Sequence, residues 1–163
     1  MLGFVDDGLR NFDGVMATSR YNTQLSDKGQ PWADGFGTLF DPVCVDNLKL
    51  IIEATCADIV VTSTWKMKLG LDGIQTMWSE RQLPGKVVGV TPDIDVLCRG
   101  NEIEAWLAER EKNICYAIID DAPITGFFTE GQQKHLFIVD EWTGIDEGTA
   151  RSVIEYLNGL NKG

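Results

Sequence analysis

The chain has 163 residues, 44% hydrophobic and 24% charged, with a net charge of -11. That length and balance describe one globular domain with its own core and set aside disordered and fibrous classes. The acid excess argues against a non-specific grip on nucleic-acid phosphates, but not against a phosphorylated substrate reached through a divalent cation, which reverses the local sign.

The first landmark is Leu9-Arg10-Asn11-Phe12-Asp13-Gly14-Val15-Met16. An apolar lead-in stopped by an acid and a glycine reads as the carboxyl end of a buried strand, the edge where open α/β sheets hold ligands; a strand with an Asp-Gly turn is the plainer alternative. Residues 17 to 40 are polar and glycine-rich, with Tyr21, Trp32, Phe36 and Phe40 interleaved. So long a connection is expected to be a flap, and its aromatics favour a packed one.

Asp41-Pro42 gives a helix start, with Asp as N-cap and Pro at the first helical position, and Val45, Leu48, Ile51 and Ile52 set its apolar face as far as about Thr55. Ile59-Val60-Val61 is β-branched throughout and predicts a buried parallel strand. It runs into Thr62-Ser63-Thr64, which reads as an anion cradle or as ordinary turn residues. Asp72 is placed to cap a short helix carrying Ile74, Met77 and Trp78. Lys86 to Val90 predicts another strand, ended by Thr91-Pro92-Asp93. A helix follows Arg99-Gly100-Asn101, with Ile103, Trp106 and Leu107 on its core face and Arg110 and Lys112 in its last turn. Ile114 to Ile119 predicts a strand ending in Asp120-Asp121, so two acidic strand ends are expected to share one edge. Leu136 to Val139 is a further strand, and Asp146 starts a last helix with Ala150, Val153, Ile154 and Leu157 on one face. Strands alternating with helices predict a parallel sheet covered on both sides.

Cys44, Cys56, Cys98 and Cys115 lack CxxC spacing and are expected to be buried reduced thiols. No basic n-region precedes an apolar h-region, and no apolar run approaches spanning length. A soluble cytoplasmic protein with no membrane partner is the expectation. His135 is expected to serve a surface or strand-start role, and Trp65, Trp78, Trp106 and Trp142 to pack in the core or its shell.

In order, Asn11 and Asp13, Thr62-Ser63-Thr64, Arg99, and Asp120-Asp121 resemble the four motifs of the haloacid dehalogenase-like (HAD) hydrolase superfamily. More narrowly, Ile59 to Lys66, Arg99 to Leu107 and Tyr116 to Asp121 resemble the small HAD domains of RNA repair proteins, over about Leu9 to Leu160. The resemblance implies a single domain over 1–163: an α/β three-layer sandwich with a Rossmann-like parallel sheet, no large cap domain, and a flap insertion at about 17–40.

It also implies a Mg²⁺-dependent phosphatase acting on a phosphate monoester through an aspartyl-phosphate. The first-motif position would carry the nucleophile, and Asp13 would protonate the leaving oxygen and then activate water. Thr62 or Ser63 would hydrogen-bond a phosphoryl oxygen, and Arg99, ahead of Lys66, would offset its charge. Mg²⁺ would take oxygens from Asn11, Asp13, Asp120 and Asp121. The implied substrate is a phosphorylated small molecule or a nucleotide or RNA end. Asn11, however, stands at the nucleophile position, and a neutral amide is a poor nucleophile and a weaker metal ligand. Covalent catalysis is therefore expected to fall by orders of magnitude, and a catalytically silent phosphate-binding or interaction module stands as the alternative. A second frame, Phe4-Val5-Asp6-Asp7-Gly8, resembles the acid pair of two-component receiver domains, but the phosphoacceptor Asp such a domain needs after its third strand is not matched at Thr91-Pro92-Asp93.

Overall fold

The computed structural model describes residues 2–5, 14–94, 98–110, 114–121 and 127–160. Five short strands form one sheet: β1 (Leu2–Val5), β2 (Ile59–Val61), β3 (Val87–Val90), β4 (Ala117–Asp120) and β5 (Leu136–Ile138), in the order β3-β2-β1-β4-β5. All four pairings are parallel, so every carboxyl end lies on the same edge. The chain builds β1, β2 and β3 outward to one side, then returns to lay β4 on the other side of β1, with Val5 in register with Asp120. Strand order thus reverses between β1 and β4, the place where open parallel sheets hold ligands.

Among the described residues five α-helices accompany the sheet: α1 (Ser19–Asp27), α2 (Pro42–Thr55), α3 (Trp65–Glu80), α4 (Arg99–Ala108) and α5 (Glu147–Leu160). Successive strand residues point to opposite faces, and β4 shows the result. Ala117 and Ile119 join a large core with Leu48 and Ile51 of α2, Ile74 and Met77 of α3, and Val153 and Leu157 of α5. Ile118 between them joins a second cluster with Ile103 of α4 and Phe128. No helix among the described residues is long and apolar enough to cross a membrane.

Sequence expectation and structure part in several places. The first strand is Leu2–Val5, upstream of the Leu9–Met16 stretch, and Asn11 and Asp13 lie outside the described residues. The 17–40 segment holds a nine-residue helix, α1, whose N-cap hydroxyl on Thr18 accepts from Tyr21 N at 3.1 Å. Beyond it residues 28–32 are exposed, Trp32 at 42%, contrary to the packing expected of that ring, while Phe36 and Phe40 pack against the core. Arg81 grips Asp34 through two bonds of 3.0 and 2.8 Å, donates to Gly37 O at 3.1 Å, and lies over the Phe40 and Trp65 rings.

The helix expected from Asp72 begins already at Trp65 and breaks at Gly70, whose φ of 64° interrupts the helical pattern. α4 ends at Ala108, so Arg110 falls beyond its last turn, where its guanidinium stacks on Trp106. Trp78 and Trp106 are buried, whereas Trp142 is 50% exposed on the turn after β5. Of the cysteines only Cys44 is buried; Cys56 is exposed and Cys98 and Cys115 are half-buried, all four as free thiols.

Candidate active site

The carboxyl edge gathers the sequence-predicted groups by topology. β2 delivers Thr62 and Ser63, both buried although polar. β4 ends in Asp120, which has no solvent exposure, and Asp121 follows. The backbone carbonyl of Asp120 accepts from Val139 N at 2.8 Å, so the end of β5 fixes the strand end that carries the acid pair.

The loop after Asp13 comes to the same place. Gly14 has φ +29°, and a Cβ built on it would lie 1.9 Å from Asp121 Oδ2 and 2.6 Å from Asp121 Cγ. The residue directly after Asp13 is therefore packed on the second acid of the pair, an approach open only to glycine. The loop continues into Val15, Met16 and Ala17, all buried. Val15 O accepts from Ile145 N at 3.1 Å and Met16 O from Asp41 N at 2.7 Å, which ties the loop to the segment after β5 and to the start of α2. Asp41 in turn caps α2 through Val43 N at 2.9 Å and accepts from Thr18 Oγ1 at 2.7 Å and Arg20 at 2.8 Å.

Three cations approach this edge, and their commitments differ. Arg20 is engaged with Asp41, whose carboxylate raises the guanidinium pKa above its ordinary value. Lys66, ranked behind Arg99 from sequence, does not face the site as a free cation. It is only 9% exposed and donates to Thr91 Oγ1 at 3.0 Å, to Pro92 O at 3.2 Å and to the buried carboxylate of Glu102. Arg99, the first residue of α4, has a side chain only 12% exposed, with Nη1 4.0 Å from Asp120 Oδ2. That Nη1 is buried and has no hydrogen-bond partner among the described residues. A buried donor without a partner suits an anion arriving at the edge.

Sequence reasoning singled out Thr62, Ser63, Arg99, Asp120 and Asp121, and the structure brings Arg99 to Asp120 and Gly14 to Asp121. It overlooked Glu102 and Thr91. A signal for Glu102 existed: Arg99, Glu102, Ile103 and Trp106 follow the spacing of one helix face, so a carboxylate was due on the face already assigned to the core. As for a metal, adjacent carboxylates are hard oxygen donors of the kind Mg²⁺ takes. Among the described residues no group of three or more His, Cys, Asp or Glu is arranged to hold an ion. Two of the four expected ligands, Asn11 and Asp13, lie outside that set.

Among known families, the one described as the HAD domain in Swiss Army Knife RNA repair proteins matches residues 11–150, most of the chain. No curated protein and no solved structure matches.

Proposed function

The chain belongs to the HAD domains of Swiss Army Knife RNA repair proteins, and from that premise we propose a phosphate-monoester site on the carboxyl edge of the sheet. The activity we propose is that of a Mg²⁺-dependent phosphatase, strongly slowed in this chain by Asn11. The fold we propose is a three-layer, Rossmann-like sandwich with no large cap domain, supported by the two apolar clusters that Ile118 and its neighbours join on opposite faces of β4. The observation that carries the functional reading is the contact of Gly14 with Asp121: it joins the first-motif loop to the acid pair across 107 residues of sequence.

In this reading Thr62 and Ser63 donate to phosphoryl oxygens, and Arg99, whose Nη1 makes no hydrogen bond among the described residues, offsets the charge on the transferring group. Asp13 would give a proton to the leaving oxygen and later take one from the water that cleaves an acyl phosphate, both steps needing a carboxylate nucleophile where this chain has the Asn11 amide. Asp120, Asp121 and Asp13, with the Asn11 amide, would hold Mg²⁺, which when bound supplies charge neutralisation at the phosphoryl oxygens. The substrate would be a phosphorylated small molecule or a nucleotide or RNA end. Asn11 favours a second reading, in which the fold binds phosphate without turning it over, since an amide cannot form the acyl phosphate.

Titration of Mg²⁺ into the chain and into Asp120→Ala, followed by heat and by thermal stability, tests the metal site. Hydrolysis of an aryl phosphate by the chain and by Asn11→Asp separates the two readings. Turnover gained by Asn11→Asp supports the phosphatase ancestry of the site. Equal inactivity with Mg²⁺ bound supports the binding module, and no Mg²⁺ response from any version overturns the metal reading.

A further inference from the structure

Among the described residues, Lys66, Thr91 and Glu102 form a buried charge cluster outside the acid pair. Lys66 and Glu102 have side chains only 6% and 5% exposed. The Thr91 hydroxyl, which accepts from Lys66, also lies 3.3 Å from Glu102 Oε2 as a donor. An ammonium has three donors, and those of Lys66 are taken by Thr91, Pro92 and Glu102. None is left for a phosphate.

The cluster links three segments that carry the site. Lys66 sits in the first turn of α3, and its backbone N–H donates to Ser63 O at 3.1 Å, so it is fastened to the hydroxyl loop. Thr91 follows β3, and its N–H donates to Val61 O at 3.1 Å at the end of β2. Glu102 lies one turn into α4, on the same face as Arg99. From the far side the buried Gln132 donates to Gly100 O at 2.9 Å, so the first turn of α4 is held from both directions.

We propose that Lys66 and Glu102 are positioning residues that set the distance between the Thr62–Ser63 hydroxyls and the Arg99 guanidinium, and so the fit of the edge to a tetrahedral phosphoryl group. The inference rests on the carboxyl edge being a phosphate site. A phosphate bound by hydroxyls from one segment and a guanidinium from another needs both at fixed separation, and a buried ion pair between those segments supplies the constraint. Partners that orient ligand-bearing residues in this way cost about 10–100-fold in affinity or activity when removed at metal sites.

The test uses inorganic phosphate and the double variant Lys66→Met/Glu102→Met. Replacing both members of a buried pair by apolar groups of similar volume is often neutral for stability, which separates positioning from folding. The double variant is expected to melt near the wild type, to keep the wild-type Mg²⁺ response, and to bind phosphate about tenfold or more weakly, approaching Arg99→Ala. Thr91→Val, which keeps both charges and removes the bridging hydroxyl, is expected to lose affinity in the same direction and serves if the double variant does not fold. Wild-type phosphate affinity in the double variant, or in Thr91→Val if only that folds, alongside a loss in Arg99→Ala, overturns the positioning role and leaves the site intact. A wild type that binds no phosphate overturns the site and the inference together.

Discussion

Gly14→Ala tests the central contact with the smallest change. At φ +29° a side chain is strained, and an L residue held in the left-handed region costs roughly 1–2 kcal/mol. The new methyl would also stand 1.9 Å from Asp121 Oδ2, where ordinary contact begins at 3.4 Å, so the carboxylate must retreat by about 1.5 Å. Strain and displacement together are expected to cost about 2–3 kcal/mol, which at roughly 2–4 °C per kcal/mol lowers Tm by roughly 4–12 °C. Misplacement of a site group by about 1 Å costs on the order of 100-fold in function, so under the proposed metal reading a rise in Tm on adding Mg²⁺ should be lost as well. Gly29→Ala is the control: its φ is +63° but nothing lies within 4 Å, so strain acts there without a clash. Melting curves with and without Mg²⁺ read both effects. If Gly14→Ala melts with Gly29→Ala and keeps the wild-type Mg²⁺ response, the first-motif loop does not bear on the acid pair and the reasoning fails.

Three further outcomes follow from the contacts around the edge. Arg81→Ala removes a two-bond grip on Asp34 and two ring contacts; partial exposure limits the loss to about 1–2 kcal/mol, but limited proteolysis within residues 28–40 should accelerate clearly, and unchanged cleavage would refute the pinning. Asp41→Ala removes the α2 cap and the acceptor of the buried Thr18 O–H, an expected cost of about 2–3 kcal/mol in denaturant unfolding, while Asp41→Asn keeps the cap and loses less. Burial, aided by the Lys134 charge, holds the His135 imidazole below its ordinary pKa of 6.5, where it stacks on Tyr116 and bonds Tyr156 Oη at 2.6 Å. The unfolded chain takes up the proton first, so this contribution is present above about pH 6.5 and fades as pH falls toward the lower folded value; Tm of His135→Gln should drop less than wild type between about pH 7.5 and about pH 5.5, and parallel curves would count against it.

What the sequence made legible were the elements with local chemistry of their own. Asp41-Pro42 is the α2 cap in fact as in expectation, Asp146 caps α5 through Thr149 N at 2.7 Å, and the β-branched Ile59-Val60-Val61 is β2. The elements that escaped lacked such signals. α1 buries only Asn22 and Leu25 on its inner side, too little apolar surface to show a helical period. The first turn of α3 was hidden by the break at Gly70. For the site, residue types at strand ends were readable because parallel topology puts those ends together, but the partner of Lys66 was not. A lysine after a hydroxyl cluster suits a phosphate and a buried glutamate equally, and only the tertiary placement of Glu102, 36 residues on, decides between them.

The two acid-bearing frames near the amino end are separated by topology. A receiver-type domain has the strand order 2-1-3-4-5, with its third strand inside the sheet. Here β3 is an edge strand beyond β2, and Thr91 at its end is engaged by Lys66 and Glu102. The family match, by contrast, begins at Asn11, and the glycine that closes that frame rests on Asp121. The glycine of the frame with the amide therefore bears on the acid pair. An amide in place of a carboxylate removes one negative charge from the first-motif frame, whose glycine lies against the acid pair. It weakens attraction for a divalent cation and, by the same charge, relieves repulsion of a phosphate facing Arg99. Asn11→Asp should thus strengthen Mg²⁺ binding while making phosphate binding more dependent on Mg²⁺, a reciprocal pair of shifts that a simple loss of folding could not produce.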